Sequence, residues 1–118
     1  KDGKSKMNLT RYYQHMFTLL VGVWESHRKL FPDELPGWLG SMNVLPNGTS
    51  ADAAMLDDWL DLFDSENISH DRAYDSIETY LKRYMSSSSE WRPLLEILHQ
   101  ESTKAIWKSL ITTNSKDE

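Results

Sequence analysis

Leu9-Thr-Arg-Tyr-Tyr-Gln-His-Met-Phe-Thr-Leu-Leu-Val-Gly-Val-Trp24 decides the fold. Tyr13, Met16, Phe17, Leu20, Val23 and Trp24 recur at steps of three and four residues, which places them on one face of a helix. The spacing predicts a helix from about Leu9 to Lys29, with Asn8 as its cap. Gly22 lies inside it, at a cost of about 1 kcal/mol relative to Ala. Close packing against a neighbouring helix is the expected reason for its presence. Pro32 and Pro36 end this texture. Asp33 to Met42 reads as a short helical piece. Asn43 to Thr49 reads as a loop, with Pro46-Asn47-Gly48 supplying turn chemistry.

The same periodicity continues downstream. A second long helix is expected from an N-cap at Thr49 or Ser50 to about Asp64, with Asp52 in its first turn, where the helix dipole favours an anion. A third starts at the N-cap Ser69 and runs to about Met85. Ser86 to Ser89 reads as a polar hinge. Ser89 caps a fourth helix, in whose first turn Pro93 is tolerated. Its apolar face is Trp91, Leu94, Leu95, Leu98, Ala105 and Ile106. Trp107 falls opposite that face, so either the helix bends near Ser102 or Trp107 is an exposed interface anchor. From Thr112 onward a polar, frayed tail is expected. The reading is an all-α domain, 1–118, of four main helices plus one short helix in a compact bundle. Residues 1–7 and 113–118 are expected to be flexible.

A weak internal two-fold repeat is visible. Shifted by 61 residues, Met7 falls on Ile68, Asn8 on Ser69, Arg11-Tyr12-Tyr13 on Arg72-Ala73-Tyr74, Leu20 on Leu81 and Trp24 on Met85. After a gap of five, Trp38-Leu39-Gly40-Ser41-Met42 falls on Leu94-Leu95-Glu96-Ile97-Leu98. The chain reads as two helical hairpin-like halves joined by an acidic helix.

Composition narrows the function. A chain of 118 residues, 39% of them hydrophobic, fills one core. There is no Cys, which excludes disulfides and thiol chemistry. No apolar run approaches the roughly 20 residues needed to span a bilayer. Lys1 to Lys6 is basic, with no apolar stretch of signal-peptide type behind it. A cytoplasmic protein is therefore expected, with Met7 a candidate start. The sequons at Asn8, Asn47 and Asn67 then carry no glycan. The four histidines form no HExxH or Ser-His-Asp spacing, and Glu96 with His99 is a single Glu-x-x-His where a di-metal bundle needs two. The glycines match no phosphate-binding loop. No enzyme activity, cofactor or metal is expected. The net charge of −5 argues against nucleic acid as a partner.

The charge is unevenly placed. Asp52 to Glu78 carries nine carboxylates against one cation, Arg72, a block of −8. At 100° per residue, Asp57, Asp61 and Asp64 fall within about 60° of one another, opposite Met55, Trp59, Leu62 and Phe63. Asp71, Asp75 and Glu78 form a second stripe, opposite Ala73, Ile77, Tyr80 and Tyr84. If the two helices pair, the stripes merge. A solvated face normally alternates sign at i, i+4, whereas Asp57 with Asp61 and Asp71 with Asp75 repel. These six carboxylates are the candidate binding surface for a cationic protein partner.

Residues 9–63 carry a resemblance. Leu39-Gly-Ser-Met42, Leu45-Pro-Asn-Gly48, Asp52-Ala-Ala54 and Asp58-Trp-Leu60 resemble a small all-helical bacterial family with the pattern LLGSM, LPDG, DPA and DWL. Leu9-Thr10 and the following Tyr12 to Leu20 are similar to that family's preceding helix. Asn47 and Ala53 stand where the family usually has Asp and Pro, at loop and helix-start positions. Members of the family occur among toxin–immunity genes, including contact-dependent inhibition loci. The resemblance implies an immunity protein that neutralises a cognate toxin domain, an inhibitor of a cationic nuclease being the form that suits an acidic surface. It carries over no functional residues. The alternatives are a general protein-interaction or regulatory adaptor and a small metal-binding helical protein.

Overall fold

The first helix forms where the apolar spacing places it. In a computed structural model that describes residues 6–31, 33–43, 45–46, 50–84 and 92–116, α1 spans Leu9–Ser26. Asn8 caps it, its side-chain oxygen accepting the Thr10 N–H at 2.7 Å. A short 3-10 turn, Arg28–Leu30, follows. Then come α2, Glu34–Met42, and α3, Ala53–Leu60. The next helices are α4, His70–Lys82, α5, Arg92–Leu98, and α6, Glu101–Lys116. The protein is mostly helical, with six helices among the described residues.

Two short strands precede the two halves, where the sequence pattern predicts none. β1, Lys6–Asn8, pairs antiparallel with β2, Asn67–Ser69, in the register Lys6 to Ser69, Met7 to Ile68 and Asn8 to Asn67. Each strand leads directly into a capped helix. Ser69 caps α4, its Oγ accepting the Arg72 N–H at 3.2 Å. The order strand, helix, helix, helix therefore occurs twice.

Several boundaries differ from expectation. α3 starts three residues after Ser50, because Asp52 is the cap and accepts the Ala54 N–H at 3.1 Å. Ser50 is buried instead, its Oγ accepting the Leu56 N–H at 3.1 Å. α3 also ends early, at Leu60, so Asp61 is its C-cap and Asp64 lies beyond it. The expected fourth helix is two helices, separated at His99 and Gln100. Asn47, Gly48, Thr49, the hinge 86–89 and Trp91 lie outside the described residues. α6 continues through Lys116, past the expected fraying at Thr112.

The break between α5 and α6 explains Trp107. It rotates the apolar face, so α6 buries Thr103, Trp107 and Ile111 and leaves Ala105 and Ile106 exposed. Trp107 stacks on Tyr12 at 6.0 Å between centroids and meets Tyr74 at 5.6 Å. Gly22, by contrast, has no packing reason: a Cβ there would meet nothing within 4 Å.

The core is aromatic and joins the two halves. Tyr80 of α4 is fully buried, with Tyr13, Trp38, Trp59 and Tyr84 around it at centroid distances of 5.4 to 6.5 Å. Most of the buried polar tips find an acceptor, as burial without one costs about 1–3 kcal/mol. Tyr80 donates to the Met55 carbonyl at 2.7 Å and Tyr13 to the Met42 carbonyl at 2.9 Å. Trp59 Nε1 donates to the Leu9 carbonyl at 3.0 Å, and the Tyr74 hydroxyl donates to the Leu98 carbonyl. Trp107 Nε1 and His15 Nε2 are exceptions, buried with no hydrogen-bond partner among the described residues.

Candidate functional site: an acidic surface on α3, α4 and the turn between them

The carboxylates do not all serve one purpose. Asp57, Asp61, Asp64, Asp71 and Asp75 are exposed. Among the described residues none of the five is in an ion pair. Asp57 projects from α3. Asp61 stands at the C-terminal end of α3, where the helix dipole is negative and a carboxylate is disfavoured. Asp71 lies in the first turn of α4, where the dipole favours it. Asp75 follows one turn later.

Glu78 is different. Lys82 Nζ and His99 Nε2 each lie 3.0 Å from its carboxylate. The Lys82 hydrogen bond holds the Glu78 carboxyl below its ordinary range, against partial desolvation and with help from the Lys82 and His99 charges. Glu78 thus ties α4 to the α5–α6 corner. Asp75 and Glu78 share a cleft of about 200 Å³ there with Tyr74, Leu98, His99 and Lys104.

The face that α3 turns towards α4 carries Asp58 rather than Asp57 or Asp61. The Tyr84 hydroxyl donates to the Asp58 carboxylate, and Arg83 lies 3.7 Å from it. Burial first, and the carboxylate second, push the Tyr84 hydroxyl up to about 12. Asp58 is a structural anion, and its position next to Asp57 in sequence gave no sign of that. The segment's own cation, Arg72, rests over the Phe63 ring at 5.5 Å. The exposed set is therefore Asp57, Asp61 and Asp64 from α3 and the turn after it, with Asp71 and Asp75 from α4.

A second polar cluster sits at the start of α4. The Tyr12 hydroxyl donates to the Ile68 carbonyl at 2.9 Å, so the His70 Nδ1 at 2.6 Å from it is the donor of that pair. Desolvation lowers the His70 pKa, partly countered by Asp71. Desolvation also lowers His15, aided by the charges of Arg11 and His70. Among the described residues, no group of three or more His, Asp or Glu side chains is placed to hold a metal ion, and no helix is long and apolar enough to cross a membrane.

No protein-family model, no curated protein and no solved structure matches this chain.

Proposed function

We propose that this chain is an immunity protein that binds and neutralises a cationic toxin domain, a nuclease being the best fit. The observation that carries the cationic partner is the set of five exposed carboxylates that, among the described residues, have no ion-pair partner; that this partner is a toxin rests on the resemblance of residues 9–63. Asp61 at the negative end of α3, and Asp71 with Asp75 one turn apart, each cost the isolated fold something. A cationic partner turns that cost into attraction. A nuclease must hold phosphates and so presents Lys and Arg, and opposite charge speeds its encounter with an acidic inhibitor. Glu78, expected from its stripe to bind the partner, is assigned instead to holding α4 against α5 and α6.

The test is the double variant Asp61→Lys, Asp75→Lys. Both sites are exposed. A lysine at the first suits the C-terminal end of α3, and a lysine at the second faces Asp71, so the fold is expected to survive. Binding to its cognate toxin domain is expected to weaken at least tenfold, with loss of growth protection when the two are co-expressed. Unchanged affinity and protection would remove the acidic surface from the interface.

We also infer that the two strand–helix–helix–helix halves are copies of one unit. Met7 and Ile68, matched by the 61-residue shift, are the paired residues at the centre of the β1–β2 ribbon. Pairing of matched residues in antiparallel strands is what a two-fold axis produces. Tyr13 bonds the last carbonyl of α2 and its counterpart Tyr74 bonds the last carbonyl of α5. Met42 and Leu98, which supply those carbonyls, are matched in the same alignment.

A further inference from the structure

We propose that the cleft between α1 and the α5–α6 corner binds a small neutral molecule with an apolar body. The inference does not rest on the immunity reading or on any acidic residue. The cleft has a volume of about 380 Å³, within the range of small-molecule sites. Leu19, Val23 and Ile97, all buried, form its apolar side, and Ile106 of α6 lines it while 51% exposed.

Among the described residues, the lining holds no Asp, Glu, Lys or Arg. Of the chain's residues 26% are charged, yet none of the twelve described residues that line the cleft is. An ionic ligand would find no counter-ion among these described residues. Thr18, Ser26, Gln100 and Ser102 offer neutral hydrogen-bonding groups, suited to one polar end on an apolar body.

Gly22 supplies an independent observation. It lies well inside α1, where glycine is unfavourable. No neighbouring element requires it, because a Cβ at Gly22 would meet nothing within 4 Å. Gly22 lines this same cleft. The missing side chain leaves open space at the cleft, as glycine also does at Gly37 and Gly40 of α2, which do not line it. A ligand lying across Gly22 would use that room and would cover Ile106.

The test is titration of the full-length protein with indole, which is neutral, mostly apolar and carries one N–H, followed by two-dimensional amide NMR. The expected result is one saturable site with a dissociation constant on the order of 1 mM. Shifts should centre on Leu19, Gly22, Val23, Ile97 and Ile106. Indole-3-acetate, the same ring with a carboxylate, should bind at least tenfold more weakly. Gly22→Leu should raise the dissociation constant at least tenfold. Gly22→Ala is the second variant: it should raise the thermal midpoint by about 4 °C and still weaken indole binding. The Asp61→Lys, Asp75→Lys protein should bind indole like the wild type, which separates this site from the acidic surface. Non-saturating or scattered shifts, equal affinity for the two probes, or wild-type affinity in Gly22→Ala would overturn the proposal.

Discussion

Asp61→Lys should make the free protein more stable, although it removes a residue assigned to function. Asp61 is the C-cap of α3, so its carboxylate stands at the negative end of the helix dipole. Relieving that contact and placing an ammonium there is worth about 0.3–1 kcal/mol. Asp57 is four residues earlier on the same helix. Exchanging its repulsion by Asp61 for attraction to the new ammonium adds about 0.2–0.5 kcal/mol for each half of the change. The sum is on the order of 1 kcal/mol, large against surface substitutions, which are usually within about 0.5 kcal/mol of neutral. Urea unfolding followed by tryptophan fluorescence would read it as a higher midpoint at unchanged slope. The gain should shrink in 1 M salt, where the Debye length falls to about 3 Å. A neutral or destabilising effect at low salt, or a gain insensitive to salt, would refute the claim that Asp61 is held at an electrostatic cost.

Three further outcomes are expected. Trp107→Ala should cost about 3–5 kcal/mol, whereas Ile106→Ala, one residue away on the exposed side, should cost less than about 0.5 kcal/mol; comparable losses in chemical denaturation would contradict the break at His99 and Gln100. Tyr13→Phe and Tyr74→Phe should each cost about 1 kcal/mol, and a large loss at only one of them would weigh against two equivalent halves. His15 is held below the ordinary imidazole value of 6.5 by burial, so the unfolded chain takes up the proton first. Stability is then fully present above pH 6.5 and falls as the pH drops from there towards the lower folded-state value. His15→Leu should flatten that decline in denaturation curves collected between pH 7 and pH 5, leaving a smaller slope of the same sign from His70.

The helices were legible where apolar residues keep one phase. α1 and α4 hold a single face from end to end, and their caps, Asn8 and Ser69, are residue types that compete poorly inside a helix but accept a backbone N–H well at its start. The break after Leu98 has no Gly or Pro to announce it. Its trace in the sequence is the change of phase between Leu98 and Trp107, which a continuous helix cannot bury on one side. The strands were invisible because three residues are too few to show alternation, and only the tertiary pairing defines them. The exposed carboxylates were legible as a charged face. Which acid turns inward was not: Asp57 and Asp58 are the same residue type side by side, and their roles are set by Tyr84 and Arg83, some 25 residues away. The cleft at Gly22 was hidden for a similar reason, since a glycine with room beside it and a glycine pressed by a neighbour look alike in a sequence.

The β1–β2 ribbon has a consequence for the newly made chain. Met7 pairs with Ile68, Tyr12 reaches the Ile68 carbonyl, and Trp59 reaches the Leu9 carbonyl. Bundles of helices usually fold quickly because their contacts are local in sequence. Here the start of α1 waits for partners fifty or more residues later. At synthesis rates of about 5–20 residues per second, Leu9, Tyr12 and Tyr13 stay uncovered for several seconds after they leave the ribosome. Slowing the ribosome between α2 and β2 should therefore lower its soluble yield more than slowing it later, and added chaperone should restore the loss.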